Sequence, residues 1–317
     1  MENLKKVIRG LVFLAGLFGI LIGLSVVMQP EVAAYNVDHV EDKIFEFNRE
    51  AEDTIDVVIV GDSETYSAYS PLQIWKDYGI TSYICGTSAQ RLCDTKTILQ
   101  GCFEKQSPKI VILETNCLFR YAGIDQDPDA KITNKASKLL PVLQYHNRWK
   151  EFVDPDNRDH ISKETIRKGF RLRTEIVPYK GGEWMEETDK RKKFARLVED
   201  YLVEIKDFCK ENGAELVLVS TPAPTNWTYA KYNTVSDWAI KHGVTYLDMN
   251  FVHKEMGIDW SKDTRDGGNH MNYEGAKKVT AYFGNYLSTE FDLVDHRGDE
   301  KYKSWDESVE QSGLKFD

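Results

Sequence analysis

The sequence is poor in the features that mark several common protein classes. Cysteine is sparse. Five residues (Cys85, Cys93, Cys102, Cys117 and Cys209) form an odd set with no C-x-x-C pair. That excludes a disulfide framework and offers no zinc-type spacing, while leaving room for one bridge. Basic charge is in deficit. The net charge is −10 and the isoelectric point about 5.3, which argues against a nucleic-acid binder, since that needs a basic face. No G-x-G-x-x-G and no P-loop pattern occurs, so the usual phosphate cradles are missing. Neither a metal nor a cofactor is called for.

What is present is an ordinary globular composition. The 317 residues are 41% hydrophobic and 29% charged, enough for one large domain or two small ones. The N-terminus differs from the rest. Lys5, Lys6 and Arg9 precede an uncharged stretch, Gly10–Met28, long enough to cross a bilayer as a helix. The pattern predicts a membrane anchor over 10–28, a cytoplasmic cationic flank over 1–9 and an extracytoplasmic remainder. A cleaved signal peptide is the alternative, with "VAA" at 32–34 as a processing site. Residues 29–54 read as a polar stalk with a short helical piece around His39–Glu50.

From residue 55 the chain alternates in type. Apolar runs at Ile55–Val60, Thr81–Cys85, Lys109–Glu114, Glu215–Ser220 and Val244–Asp248 predict five buried strands. Helical patterns lie at Pro71–Tyr78, Ser88–Phe103, Lys190–Asn212, Ala230–His242 and Tyr273–Leu287. Residues 121–190 carry no motif and read as an irregular insertion in which specificity would reside. Continuous apolar strands separated by helices predict an α/β domain, a three-layer α/β/α fold around a five-stranded parallel sheet. The domain spans 55–290, and 291–317 form a C-terminal strap that docks Tyr302 and Trp305.

In such sheets the site lies beyond the carboxyl ends of the strands. Gly61, Asp62 and Ser63 follow the first strand, and Cys85 and Gly86 end and follow the second. Asn116 and Cys117 follow the third, and "DTRDGGNHMNYEGAKK" (263–278) precedes the last helix. Acyl transfer needs a hydroxyl nucleophile, a base, an acid to orient that base, and fixed donors for the oxyanion. Ser63 supplies the hydroxyl and His270 the imidazole, with Asp266 or Asp263 as the acid. The Ser63 and Gly86 N–H groups and the Asn116 amide supply donors. Gly86 suits the role because a side chain there would obstruct substrate. Each residue also has a plainer reading: Ser63 as a helix cap, His270 as a surface cap, Asn116 as a loop brace.

These blocks resemble the GDSL, or SGNH, hydrolase superfamily. "VGDSETYS" looks like its first block, Gly86 in "ICGTSAQ" its second, "ETNCLFR" its third and "DGGNHMNYEG" its last. The third block lacks the Gly-x-Asn-Asp form, and Gly267 stands three residues before His270, where the family's acid is commonly found. The resemblance implies a flavodoxin-like SGNH fold and a serine esterase or O-acyltransferase. With the anchor, it resembles membrane-anchored SGNH-like proteins that acylate cell-envelope polymers. That implies an acylated glycan or polyol polymer as substrate and a multi-spanning membrane O-acyltransferase as partner. Arg120 would bind an anionic substrate or form a plain ion pair. Two other classes fit the chain: a non-catalytic scaffold that binds polymer or acyltransferase, and a phosphate- or nucleotide-binding flavodoxin-like domain.

Overall fold

In a computed structural model, residues 2–28, 40–120, 139–145, 162–195 and 197–316 are described. They belong to two units, one built from 1–35 and 124–160, the other from 36–123 and 161–317. In the first unit, α1 (Glu2–Met28) is one continuous helix that takes in the cationic flank as well as the apolar run. Its 27 residues rise about 40 Å, long and apolar enough to cross a bilayer. A helical turn, Val142–Tyr145, packs against it, and the Val142 N–H donates to Ser25 Oγ at 3.1 Å.

The second unit begins with α2 (Val40–Phe47), which packs on the sheet domain through the buried Phe47, edge-on to Tyr83 at 5.2 Å. The expected stalk therefore divides. Residues 40–54 are part of the domain, and 29–39 lie outside the described residues. Next come β1 (Val57–Val60), α3 (Ser63–Ala68), α4 (Pro71–Tyr78), β2 (Ser82–Ile84), α5 (Leu92–Cys102) and β3 (Ile110–Glu114). After the segment that includes 162–195 follow α6 (Val198–Glu211), β4 (Glu215–Ser220), α7 (Tyr229–His242), β5 (Thr245–Asp248), α8 (Tyr273–Glu290) and α9 (Lys303–Gln311).

The five strands are all parallel, in the order β2-β1-β3-β4-β5. Val57 lies opposite Ser82 on one side and Ile110 on the other, so β1 is central and every residue of β1 and β3 is buried. Helices cover both faces, as the unbroken apolar runs require. Strand order reverses direction at β1, which opens a crevice between the carboxyl ends of β1 and β3. The fold is thus the predicted α/β sandwich with its five-stranded parallel sheet.

Two expected helices are shorter than their patterns. Residues 190–195 are not helical. They are drawn along α7, where the Lys192 N–H donates to Ala230 O at 3.0 Å and Thr234 Oγ1 donates to Lys192 O at 2.7 Å. The helix expected from Ser88 starts at Leu92. The Gln90 carboxamide oxygen accepts from the Thr87 N–H at 2.9 Å and holds a turn there instead. Of the 121–190 insertion, 121–138 and 146–161 lie outside the described residues.

α8 is clamped to α3 and α4 from behind. Thr280 Oγ1 accepts from the Ser70 N–H at 2.9 Å and donates to Ala68 O at 3.1 Å, while Phe283 meets Tyr69 at 4.8 Å between ring centres. The C-terminal segment closes over α4. Trp305 packs its ring 5.6 Å from Trp75, whose Nε1–H donates to Asp306 Oδ1 at 2.9 Å. Trp305 is 1% exposed. Trp305→Ala should therefore cost about 3–5 kcal/mol, read as a lower denaturant midpoint in equilibrium unfolding. A midpoint equal to that of the parent would mean that the C-terminal segment does not support the core.

Candidate active site

Ser63 is the first residue of α3, and Asp62 occupies the capping position before it. The Asp62 carboxylate accepts from the Glu64 N–H at 3.2 Å. The cap is therefore Asp62, which corrects the plainer reading of Ser63 and leaves its hydroxyl free for another partner. That partner is His270: Ser63 Oγ donates to Nε2 at 2.7 Å. On the other side of the ring, the Nδ1–H donates to Asp266 Oδ2 at 2.5 Å. The two bonds make a continuous line from hydroxyl to carboxylate.

Asp266 reaches the imidazole from four residues back because the loop between them is tightly wound. Gly267 and Gly268 adopt φ of +79° and +98°, values that side chains disfavour. Thr264 Oγ1 accepts from the Gly268 N–H at 2.8 Å and donates to His270 O at 3.0 Å. Asp266 Oδ1 accepts from the His270 N–H at 2.8 Å, so one carboxylate sets both the loop and the ring. Burial pushes this carboxyl up, but the bonds from the His270 side chain and backbone outweigh it and hold the group below its ordinary value. Asp263 does not serve. Its Oδ2 accepts from Lys278 Nζ and from the Asp259 N–H, each at 2.6 Å, as a brace at the base of α8. Of the two carboxylates, Asp266 is the one bonded to His270.

Gly86 lies beside α3. A Cβ there would stand 1.9 Å from Thr65 Oγ1, so close packing against this helix already requires glycine, whatever approaches from solvent. The Asn116 side chain is turned toward Asp62. Its Nδ2 donates to Asp62 Oδ2 at 3.1 Å, and its Oδ1 accepts from Lys231 Nζ at 3.3 Å. Arg120 forms an ion pair with the same Asp62 at 3.3 Å while its side chain stays 41% exposed. Asp62 is thus the hub that binds the β1 end to the β3 end. Cys117 is fully buried, and burial, then Asp62, pushes its thiol well above the usual thiol range. Trp227 is a core residue whose Nε1–H donates to Asp248 Oδ2 at 2.8 Å.

Sequence reasoning missed a set of buried carboxyls around Ser63. Glu64 and Glu114 are each 1% exposed. Glu114 accepts from the Asn116 N–H at 2.9 Å, and Glu64 accepts from Asn226 Nδ2 at 3.2 Å, with Glu64 Oε2 left without a partner among the described residues. Burial, then Asp62, holds both carboxyls well above the usual carboxylate range. The signal was present in "KIVILE", where a glutamate ends an otherwise apolar buried strand, and in "GDSE", where one follows the serine. Lys231 also went unread. Burial pushes its amine down, while it lies over the Phe119 ring at 4.9 Å.

No family model matches the chain, and no curated protein matches it. Among solved structures, it is similar to a GDSL-like lipase from Bacteroides thetaiotaomicron, at 11% identity and a TM-score of 0.40, covering 81% of this chain and 100% of that one. It is also similar to a lipase/acylhydrolase from Enterococcus faecalis, at 10% identity and a TM-score of 0.39, covering 76% and 99%. Identities this low say nothing about substrate.

Two outcomes follow from this geometry. Asp266→Asn, which removes the acceptor for Nδ1–H, should lower kcat about 10³–10⁴-fold in an ester-hydrolysis assay. Asp263→Asn should instead lower stability by about 1–3 kcal/mol in urea titrations, with kcat retained, and the reverse pattern would make Asp263 the acid. The second outcome concerns Glu64. Its folded pKa lies above its unfolded one, so between those values the native state holds the proton that the unfolded state has lost. Stability then falls as pH rises through that window. Glu64→Gln should flatten this decline in denaturant midpoints taken from about pH 5 to about pH 8, and an unchanged slope would contradict a protonated Glu64.

Proposed function

We propose that the chain is a serine ester hydrolase or O-acyltransferase of the GDSL/SGNH type, working through an acyl-serine intermediate. The observation that carries this reading is the line of hydrogen bonds Ser63–His270–Asp266, at 2.7 and 2.5 Å, beyond the carboxyl end of β1. The four sequence blocks that resemble the family support it.

In the proposed reaction Ser63 Oγ attacks the ester carbonyl carbon as its proton passes to His270 Nε2. The oxyanion forms against the Ser63 and Gly86 N–H groups and the second Nδ2 hydrogen of Asn116. The tetrahedral centre collapses, the C–O bond to the alcohol breaks, and Nε2–H protonates the departing alkoxide. An acceptor hydroxyl or water then gives its proton to Nε2 and attacks the acyl-Ser63 carbonyl. Collapse of the second tetrahedral centre returns the proton to Ser63. Asp266 remains ionised throughout, keeps the proton on Nδ1 and stabilises the imidazolium.

The finer reading places this chemistry outside the cytoplasm on the 10–28 anchor, acting on O-acyl groups of a cell-envelope glycan or polyol polymer. A multi-spanning membrane O-acyltransferase would supply the acyl group. This rests on α1 and on the sequence resemblance. The purified protein should hydrolyse 4-nitrophenyl acetate with a burst of nitrophenolate in the first turnover, and Ser63→Ala should reduce kcat about 10⁶-fold. Turnover retained in Ser63→Ala would remove the reading.

A further inference from the structure

Beside the His270 loop lies an open cavity of about 320 Å³ lined by Tyr66, Arg171, Arg173, Glu175, Arg265 and Asp266. Three guanidinia around one cavity are unusual in a chain with a net charge of −10. Each is placed by a different part of the site. Arg265 Nη2 donates to Ser67 Oγ at 3.1 Å, and that hydroxyl donates to Ser63 O at 2.6 Å, so two hydrogen bonds join this guanidinium to the nucleophile's own peptide. Arg171 Cζ lies over the Tyr66 ring, 3.9 Å from its centre, with Nε on Glu164 at 3.1 Å. The Arg171 N–H donates to Tyr66 O at 2.9 Å, which ties its strand of chain to α3. The Arg173 backbone is fixed as well, its carbonyl accepting from the Tyr273 N–H at 2.7 Å at the start of α8.

The carboxylates at the cavity do not neutralise it evenly. Asp266 is engaged by His270 and the backbone, and lies 3.9 Å from Arg265 Nε. Glu164 is taken by Arg171. Glu175 is exposed and makes no ion pair among the described residues. Arg173 is exposed too, and among the described residues it has no acceptor at all. An exposed guanidinium beside two others held in place by stacking and hydrogen bonds is a fork presented to an oxyanion. Asp266, the carboxylate bonded to His270, lines the cavity, which therefore lies beside the Ser63–His270–Asp266 line.

We infer that this arginine-lined cavity is a substrate subsite for an anionic group, a phosphate or carboxylate borne by the polyol or sugar whose ester reacts at Ser63. The inference rests on the proposed function for its link to catalysis, and on the cavity alone for anion binding. It gives the segment 171–175, within the expected 121–190 insertion, a part in specificity. Arg120, the residue that the sequence alone suggests for an anionic substrate, is committed to Asp62 instead.

Binding is measured first, by isothermal titration of full-length Ser63→Ala protein with sn-glycerol 3-phosphate, D-glycerate and glycerol. The two anions should bind and glycerol should not, and Arg173→Glu in the same background should weaken anion binding about tenfold or more. Whichever anion binds more tightly identifies the group as phosphate or carboxylate. Lys210→Glu, the same charge change on the outer surface of α6, should leave the affinity unchanged. Catalysis is measured second. For wild-type enzyme, the ratio of kcat/KM for 1-acetylglycerol 3-phosphate over 1-acetylglycerol should exceed one, and Arg173→Glu should lower it about tenfold. Anion binding that is absent, or equal in the Arg173 variant, overturns the subsite. Arginine-dependent binding without hydrolysis of either ester leaves the subsite standing and removes the proposed function.

Discussion

The hydrogen bond from Ser63 to His270 joins residues 207 positions apart, and the rest of the site depends on the clamp that makes it possible. That clamp is the seat of α8 on α3 and α4. Thr280 satisfies both a donor and an acceptor at the end of α3 through one hydroxyl, and Phe283 fills the space against Tyr69. An imidazole delivered by a loop alone would wander by more than a hydrogen bond allows. Here the loop is the last turn before a helix that is already packed, and Asn272 caps that helix by accepting from the Gly275 N–H at 3.2 Å. Precision at Ser63 is inherited from the core rather than built by the loop.

The same logic explains how Asp266 reaches His270. A carboxylate three residues before a histidine and one four residues before it need different loop paths. The glycine pair 267–268, at positive φ, supplies the extra bend, and Thr264 ties it off. A carboxylate four residues before His270 therefore meets Nδ1. Around this line the site is acidic and dry. Asp62, Glu64 and Glu114 are buried together, with Lys231 and Arg120 as the nearby cations. Burial, then the Asp62 charge, holds the Glu64 and Glu114 carboxyls well above the usual carboxylate range.

The sheet was legible because burial on both faces writes itself as unbroken apolar runs. "KIVILE" loses only Lys109 and "ELVLVS" is a strand from end to end, and Ser63, His270 and Asp266 followed from asking what lies at the strand ends. What could not be read were interactions between distant segments. Nothing local shows that Asp263 is taken by Lys278, or that the Asn116 amide turns to Asp62. Residues 190–195 have helical periodicity, yet their backbone bonds α7, a tertiary choice that overrides local preference. The arginines of the cavity are scattered over 171–173 and 265, and only the fold makes them neighbours.

The central claim is that Ser63 is a nucleophile activated by His270. It is tested most directly by treating the protein with a fluorophosphonate and mapping the adduct by peptide mass spectrometry. The account predicts one adduct, on Ser63, that is lost in His270→Ala while Ser63 remains in place. Labelling of Ser63 that is undiminished in His270→Ala, or an adduct on another residue with Ser63 unmodified, would contradict it.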